Sequence, residues 1–441
     1  MNNIVRDVND TVETEYTDYE MLRQLNEQKR ESRGIKRNWF AGGMIAGLTI
    51  ALLISCVVYL ISLKNSTDVG LIGKDAAKTE QSDSVVNPQM EQKLKVLEDS
   101  INEYYLGDIS KEELEEGLYY GLVEATGDPY SSYFSAEELQ ELQESTSGIY
   151  YGIGAYVGLD TDTQYCKITG TIPGTPAEEA GLKAEDLIVK VDGQDAYGMT
   201  TTEIVELIKG EENTEVVLTI SRIGEEDYLD ITVTRRRVEA PTVNYEMFDD
   251  GMAYIQITQF EEVTTGQFEE KLEQARAEGM KGLIIDLRSN PGGTLHSVVQ
   301  IARMILPEGL VVYMEDKKGK REEYACDGRR QLEVPLVVLV NENSASAAEI
   351  LAGAVKDYGI GTLVGTKTFG KGIVQKVFGI TDGSGVKLTI SHYYTPKGND
   401  IHEVGIEPDE VLELDAESYV KDGSDNQLER AKEILSGEIK E

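Results

Sequence analysis

The 441-residue chain has only three cysteines, Cys56, Cys166 and Cys326, and only three histidines, His296, His392 and His402. Three cysteines, one of them inside an apolar run, build no disulfide framework, so stability must come from ordinary hydrophobic cores. The histidines and cysteines do not cluster with metal-ligand spacing, and no metal site is expected. A histidine-based triad is hard to assemble from histidines that lie in no nucleophile or base motif. Positive charge is scarce as well: 42 Lys and Arg face 80 Asp and Glu, for a formal net charge of −38. Such a surface argues against nucleic acid or anionic lipid as the partner and favours solubility.

One long apolar run is present. Residues 39–63 carry no charge and are dominated by Ala, Ile, Leu, Val and Gly. As a helix they would span about 37 Å against a hydrocarbon core of about 30 Å, enough to cross with some tilt. A buried soluble helix is the bland alternative, and a cleaved signal peptide another, although the run is long for one and lacks a nearby cleavage site. Lys29, Arg30, Arg33, Lys36 and Arg37 crowd its N-terminal flank, whereas Lys64 stands almost alone behind it. The positive-inside rule then predicts a cytoplasmic tail over 1–38, an uncleaved single-pass anchor in the cytoplasmic membrane over 39–63, and everything beyond it extracytoplasmic. The tail is nearly balanced in charge, so almost all the negative charge falls on the ectodomain.

A polar linker over 64–88 leads to a helical region, 89–145, with apolar positions at Leu94, Leu97, Ile101 and at Leu114, Leu118, Leu122. Ser110 with Glu113, and Ser135 with Glu138, have capping-box spacing, and Gly127-Asp-Pro-Tyr130 reads as a break between helices. Residues 146–237 read as a compact β-rich module with one helix. In it Tyr151-Gly-Ile-Gly154, Gly174-Thr-Pro-Ala177, Ala180-Gly-Leu182 and Val191-Asp-Gly193 follow an order that resembles a PDZ domain. Glycines at 152 and 154 would let backbone N–H groups of Tyr151, Gly152, Ile153 and Gly154 face a terminal carboxylate, and a helix near 201–209 would line the groove with Ile204 and Ile208. From 238 to 412 strands alternate with helices, including the nearly all-apolar Gly282-Leu-Ile-Ile-Asp-Leu287, which predicts an α/β core. Residues 413–441 form a tail with a short amphipathic helix.

In such cores sites gather at the carboxyl ends of strands. There the apolar strand at 335–340 runs into an alanine-rich helix that opens near Ser346, where backbone N–H groups stabilise negative charge. Ser346 could equally be a plain helix cap, and Ser344 is a small neighbour of the same kind. A serine becomes a nucleophile with a base, and Lys371 stands between two glycines among Val364, Phe369, Ile373 and Val374. Bringing a lysine from about 10.4 to near 7 takes about 4.6 kcal/mol of differential stabilisation, which only a dry site supplies. Lys367, four residues earlier, is the competing lysine.

Ser344-Ala-Ser-Ala-Ala-Glu-Ile350, Thr368-Phe-Gly-Lys-Gly-Ile-Val-Gln375, Asp286-Leu-Arg-Ser-Asn-Pro-Gly-Gly293 and Tyr393-Tyr-Thr-Pro396 together, in this order and spacing, resemble the carboxy-terminal processing peptidases, serine proteases of family S41 with a PDZ domain and a Ser/Lys pair. The resemblance covers about residues 85–435. It implies Ser346 as nucleophile, Lys371 as general base, Gln375 as the residue orienting that lysine, and the N–H groups of Gly292 and Ala347 as the oxyanion hole, with no cofactor. With the anchor read at 39–63, it gives a multidomain chain: an N-terminal transmembrane helix and then a PDZ domain ahead of an α/β serine-protease core with flanking helical segments. Substrates would be proteins or peptides with apolar free C-termini. In members of that family helical ends help dimers form, so a homodimer is one expectation and packing onto the chain's own core the other. The Asn399-Asp400 pair departs from the more basic small residues common there. An adaptor or chaperone that binds C-termini without cutting, and an esterase, are the competing readings.

Overall fold

A computed structural model of the protein describes residues 84–439. The expected tail, the apolar run at 39–63 and nearly all of the 64–88 linker lie outside those residues. Among the described residues no helix is long and apolar enough to cross a membrane.

Three helices come first, Pro88–Tyr104, Lys111–Glu124 and Ala136–Ser147. Both Ser-x-x-Glu signals form reciprocal capping boxes: the Glu113 N–H donates to Ser110 Oγ at 3.1 Å while Glu113 Oε2 accepts the Ser110 N–H at 2.8 Å, and Ser135 with Glu138 repeats this at 3.2 and 2.9 Å. The first two helices bury no residue, whereas the third seats Leu139 and Leu142 against Phe134 and Val377. Just after the Gly127–Tyr130 break, inside the region expected to be helical, lies a short strand, Ser132–Phe134, paired antiparallel with the long core strand Gly385–Tyr394.

The β-rich module hangs on a two-stranded neck in which Ile149–Gly152 enters and Arg236–Glu239 leaves, antiparallel to each other. Its own sheet has Ala155–Leu159 at the edge, then Cys166–Thr171, Leu187–Val191, Glu215–Ser221 and Leu229–Thr234. Alternate residues of these strands, Ile168, Ile188, Val216, Leu218 and Ile220 among them, point into one core with the helix Thr201–Ile208. That packing overturns one expectation. Ile204 is 0 % exposed and Ile208 is likewise buried, so both are core residues and offer no surface to a peptide. An amphipathic helix on a small sheet must turn its apolar stripe inward, and the isoleucines are that stripe.

The α/β core is a six-stranded sheet in the order Val243–Met247, Met252–Ile257, Gly282–Asp286, Leu336–Val340, Thr362–Gly365, Glu410–Val411, parallel except for its first pair. Every residue of Gly282–Asp286 and Leu336–Val340 is buried because both faces are covered. Leu283, Ile285, Leu336, Val338 and Val340 face the helices Thr264–Ala277, Leu295–Ala302 and Ala347–Tyr358, whereas Ile284, Val337 and Leu339 face the C-terminal helix Asn426–Glu438 through Ala431 and Leu435. The helix Thr264–Ala277 opens after Val263 without a side-chain cap. A second, five-stranded sheet joins Ser132–Phe134, Ile373–Gly379, Gly385–Tyr394, Gly309–Asp316 and Arg321–Cys326. Lys371 lies in the connection from the first sheet's strand Thr362–Gly365 to this sheet's strand Ile373–Gly379, which holds Gln375.

Candidate active site

Ser346 lies between the buried strand Leu336–Val340 and the helix Ala347–Tyr358, with φ 55° and ψ −113°. Left-handed φ at a serine costs energy that other contacts must hold in place, and this strand-to-helix turn has the geometry of a nucleophile elbow. The neighbouring Ser344 is otherwise engaged: its hydroxyl donates to the Leu287 carbonyl at 2.8 Å and accepts the Asn341 N–H at 2.9 Å. Tyr393, fully buried, donates its hydroxyl to the Ser346 carbonyl at 2.9 Å.

Gly292 sits directly against the serine. A Cβ on it would fall 2.8 Å from Ser346 Cβ, 2.9 Å from the Ala347 nitrogen and 2.7 Å from the Ala345 carbonyl oxygen, and its φ is 107°. Only glycine allows this approach. Gly293 is equally confined, by the Phe260 carbonyl. The Gly292 N–H donates to Asn290 Oδ1 at 2.8 Å, while Asn290 itself is pinned by the Ile257 carbonyl and the Ala345 N–H. The turn thus brings the Gly292 and Ala347 backbones together beside Ser346, with the first of the two N–H groups held by Asn290.

Behind this turn Arg288 binds Asp286 through Nε and Nη2 at 2.6–3.1 Å, Asp425 at 2.8 and 3.0 Å, and Gln427 Oε1 at 3.0 Å. Asp286 also accepts the Tyr254 hydroxyl at 2.8 Å.

Lys371 is 4 % exposed, whereas Lys367 is exposed. Its flanking glycines let the chain pass close to the loop at 402–405: a Cβ on Gly372 would meet the His402 nitrogen at 2.6 Å, and one on Gly370 the Gly405 nitrogen at 2.9 Å. Of the apolar residues expected around it, Val364, Ile373 and Val374 are buried but Phe369 is 51 % exposed, turned outward at the bend. Gln375 is buried and donates Nε2 to Thr389 Oγ1 at 3.3 Å.

The residue that ties these pieces together is Glu349, which sequence reasoning quoted within a motif and gave no role. Its fully buried carboxylate accepts the N–H of Ser346 at 2.9 Å, of Gly370 at 2.7 Å and of Lys371 at 2.8 Å, and the Thr368 hydroxyl at 2.7 Å. Burial pushes the Glu349 carboxyl up while these four donors pull the other way. One carboxylate therefore locks the backbone of Ser346 to that of Lys371, 25 residues later. The signal was in the sequence: Ser346-Ala-Ala-Glu349 has capping-box spacing.

In the β-rich module, Tyr151 is 43 % exposed and is followed by buried Gly152, Ile153 and Gly154. Tyr151 and Gly152 end the neck strand, paired with Arg237 and Arg236, so only Ile153 and Gly154 form the expected loop, which leads into the edge strand Ala155–Leu159 with its unpaired side beside the helix Thr201–Ile208.

Residues 251–412 match the model of peptidase family S41, and residues 167–222 that of the PDZ domain. The carboxyl-terminal-processing protease of Synechocystis sp. is 37% identical over 318 residues, 71% of this chain and 74% of that protein. The carboxy-terminal processing protease CtpA of Bacillus subtilis is 34% identical over 366 residues, 83% of this chain and 76% of its own. Among solved structures, the photosystem II D1 C-terminal processing protease is 30% identical, with 73% of this chain and 86% of that one covered and a TM-score of 0.43.

Proposed function

The chain belongs to the carboxyl-terminal-processing proteases of peptidase family S41 and is a serine-type peptidase acting on proteins or peptides, and from that premise we propose that it cuts with Ser346 and Lys371. The observation that carries the proposal is the Glu349 carboxylate, which holds the backbone of both residues in one buried cluster. In the proposed cycle the neutral Lys371 amine takes the Ser346 proton as Oγ attacks a peptide carbonyl carbon. The oxyanion is received by the Ala347 N–H and by the Gly292 N–H, which has to leave Asn290 Oδ1 to do so. The lysine ammonium then protonates the leaving amine, the acyl-enzyme forms, and water repeats the sequence. Gln375, fastened to Thr389, limits the directions open to the lysine.

The PDZ module takes substrate C-termini in this reading. Its Ile153–Gly154 turn leads into the edge strand Ala155–Leu159, to whose free side an extended peptide could add. In this reading it is an endopeptidase acting outside the cytoplasm, on an anchor formed by residues 39–63 with the N-terminus inside, an orientation that the charge asymmetry around that run supports. Homodimerisation through the first two helices is supported by their exposed Val96, Leu97, Leu118 and Leu122.

The test is the ectodomain from residue 66, incubated with an unfolded protein that ends in an apolar C-terminus, beside Ser346→Ala, Lys371→Ala and Lys367→Ala. Wild type and Lys367→Ala should cleave, and the other two should lose about three orders of magnitude or more. Binding without cleavage by all four would favour an adaptor instead. Deleting 146–237 should alter rate or substrate choice, and an unchanged profile would remove the PDZ module from the mechanism.

A further inference from the structure

The segment Asp128–Ser131, far ahead of the protease core in sequence, reaches the candidate site. Lys371 Nζ lies 4.6 Å from the centre of the Tyr130 ring, over its face. Asp128 shapes the turn that presents this ring: its Oδ1 accepts the Tyr130 N–H at 3.0 Å and its Oδ2 the Ser131 hydroxyl at 2.6 Å. Ser131 Oγ in turn accepts the Thr389 N–H at 3.1 Å, and Thr389 Oγ1 accepts the Gln375 amide at 3.3 Å. The segment is fixed from behind by Tyr133, which is buried, packs edge-on to Tyr120 with ring centres 5.1 Å apart, and pairs in register with Val386.

We propose that Tyr130 and Asp128 are positioning residues of the Ser346/Lys371 reaction, the ring roofing the lysine amine and the carboxylate holding both that ring and, through Ser131 and Thr389, Gln375. This inference rests on the Ser/Lys reading above. As the lysine takes the serine proton it gains a positive charge, and an aromatic face favours a cation while keeping water off that side. The negative charge of Asp128 acts in the same sense. Burial pushes the Asp128 carboxyl up, but the Ser131 and Thr389 hydroxyls, the Tyr130 N–H and the Lys371 charge outweigh it and leave the carboxyl below its usual range. The other ionisable groups facing this pocket are Glu349, from the nucleophile helix, and Glu403, from the loop beside Gly370.

The experiment compares Tyr130→Phe, Tyr130→Leu and Asp128→Asn in the ectodomain with wild type, Ser346→Ala and Lys371→Ala, measuring kcat and KM from pH 5 to 10 and the thermal midpoint of each. Tyr130→Phe should stay within about threefold of wild type, because the ring face and not the hydroxyl meets the amine. Tyr130→Leu, which keeps an apolar side chain but removes the ring face, should lose about tenfold or more in kcat with KM within about twofold. Asp128→Asn removes a negative charge that favours the lysine's charged form, so the acidic limb of the kcat/KM profile should move to lower pH. Wild-type kcat in Tyr130→Leu, or equal losses in Phe and Leu, would overturn the assignment of the ring. An unmoved acidic limb in Asp128→Asn would overturn that of the carboxylate. If Ser346→Ala or Lys371→Ala cleaved like wild type, the Ser/Lys reading itself would fail, an outcome separate from these.

Discussion

At the scale of single residues, Ser346 stands out because its backbone is held where a side chain is unwelcome. A φ of 55° with ψ of −113° costs a non-glycine residue about 1–3 kcal/mol. What holds it there is local: the Glu349 carboxylate on its N–H and the Tyr393 hydroxyl on its carbonyl. Ser346→Gly should therefore be more stable than wild type by about 1 kcal/mol, the freer unfolded chain offsetting part of the relief, while cleavage disappears. Urea unfolding of the two proteins checks this. A less stable variant would mean that the serine side chain contributes more by packing than its backbone costs.

At the scale of elements, the turn that carries Gly292 is held from behind by the C-terminal segment. Arg288 joins Asp286, at the end of a fully buried strand, to Asp425 and Gln427 at the start of the last helix. Removing one partner of a buried ion pair leaves the other charge uncompensated and costs about 3–5 kcal/mol. Arg288→Met should lose about that much in denaturant unfolding. It should also lower cleavage more than a stability loss alone explains, because Ser289 and Asn290 follow directly on the freed residue. Retained activity at temperatures where the variant is fully folded would confine the clamp to stability.

At the scale of the whole molecule, the PDZ neck rests on the loop that precedes the helix Thr264–Ala277. The Glu262 N–H donates to the Thr146 carbonyl at 3.1 Å, and the Ala240 N–H to the Gly148 carbonyl at 2.8 Å, so entry and exit of the module meet over this loop. Glu261 lies beneath, close enough to Gly148 that a Cβ there would collide with Glu261 Oε2, an oxygen with no hydrogen-bond partner. Burial pushes its carboxyl up to about 7. The folded protein then keeps this proton up to about pH 7, whereas the unfolded chain releases it near pH 4.3. Between those values the unfolded state binds fewer protons, so stability falls as pH rises and levels off above pH 7. At about 1.4 kcal/mol per pH unit, the ceiling is about 4 kcal/mol, reduced by whatever water reaches the group. Relative to wild type, Glu261→Gln should gain stability between pH 5 and pH 8, read from urea midpoints of both proteins. A constant difference across that range would rule the titration out. The adjacent Phe260 bonds to the Gly292 carbonyl and bridges to Gly293, so the same loop touches both the neck and the candidate site.

Much of this was legible along the chain because it depends on near neighbours. Capping boxes are set by residues three apart, buried strands by uninterrupted apolar runs, and the Gly292–Gly293 turn by glycine spacing. Ser346, Lys371 and Gln375 became candidates only as members of an ordered set of motifs, since a serine at a helix start or a lysine between glycines has many uses. What the tertiary structure alone decided lies across the folds of the chain. Glu349 meets Gly370 and Lys371 about twenty residues later, and Ser131 meets Thr389 across 258 positions, because the second sheet recruits the strand Ser132–Phe134. Ile204 and Ile208 show the same limit from the other side. Their helical spacing predicts an apolar stripe correctly, but whether a stripe faces a peptide or a core is settled only by what packs against it.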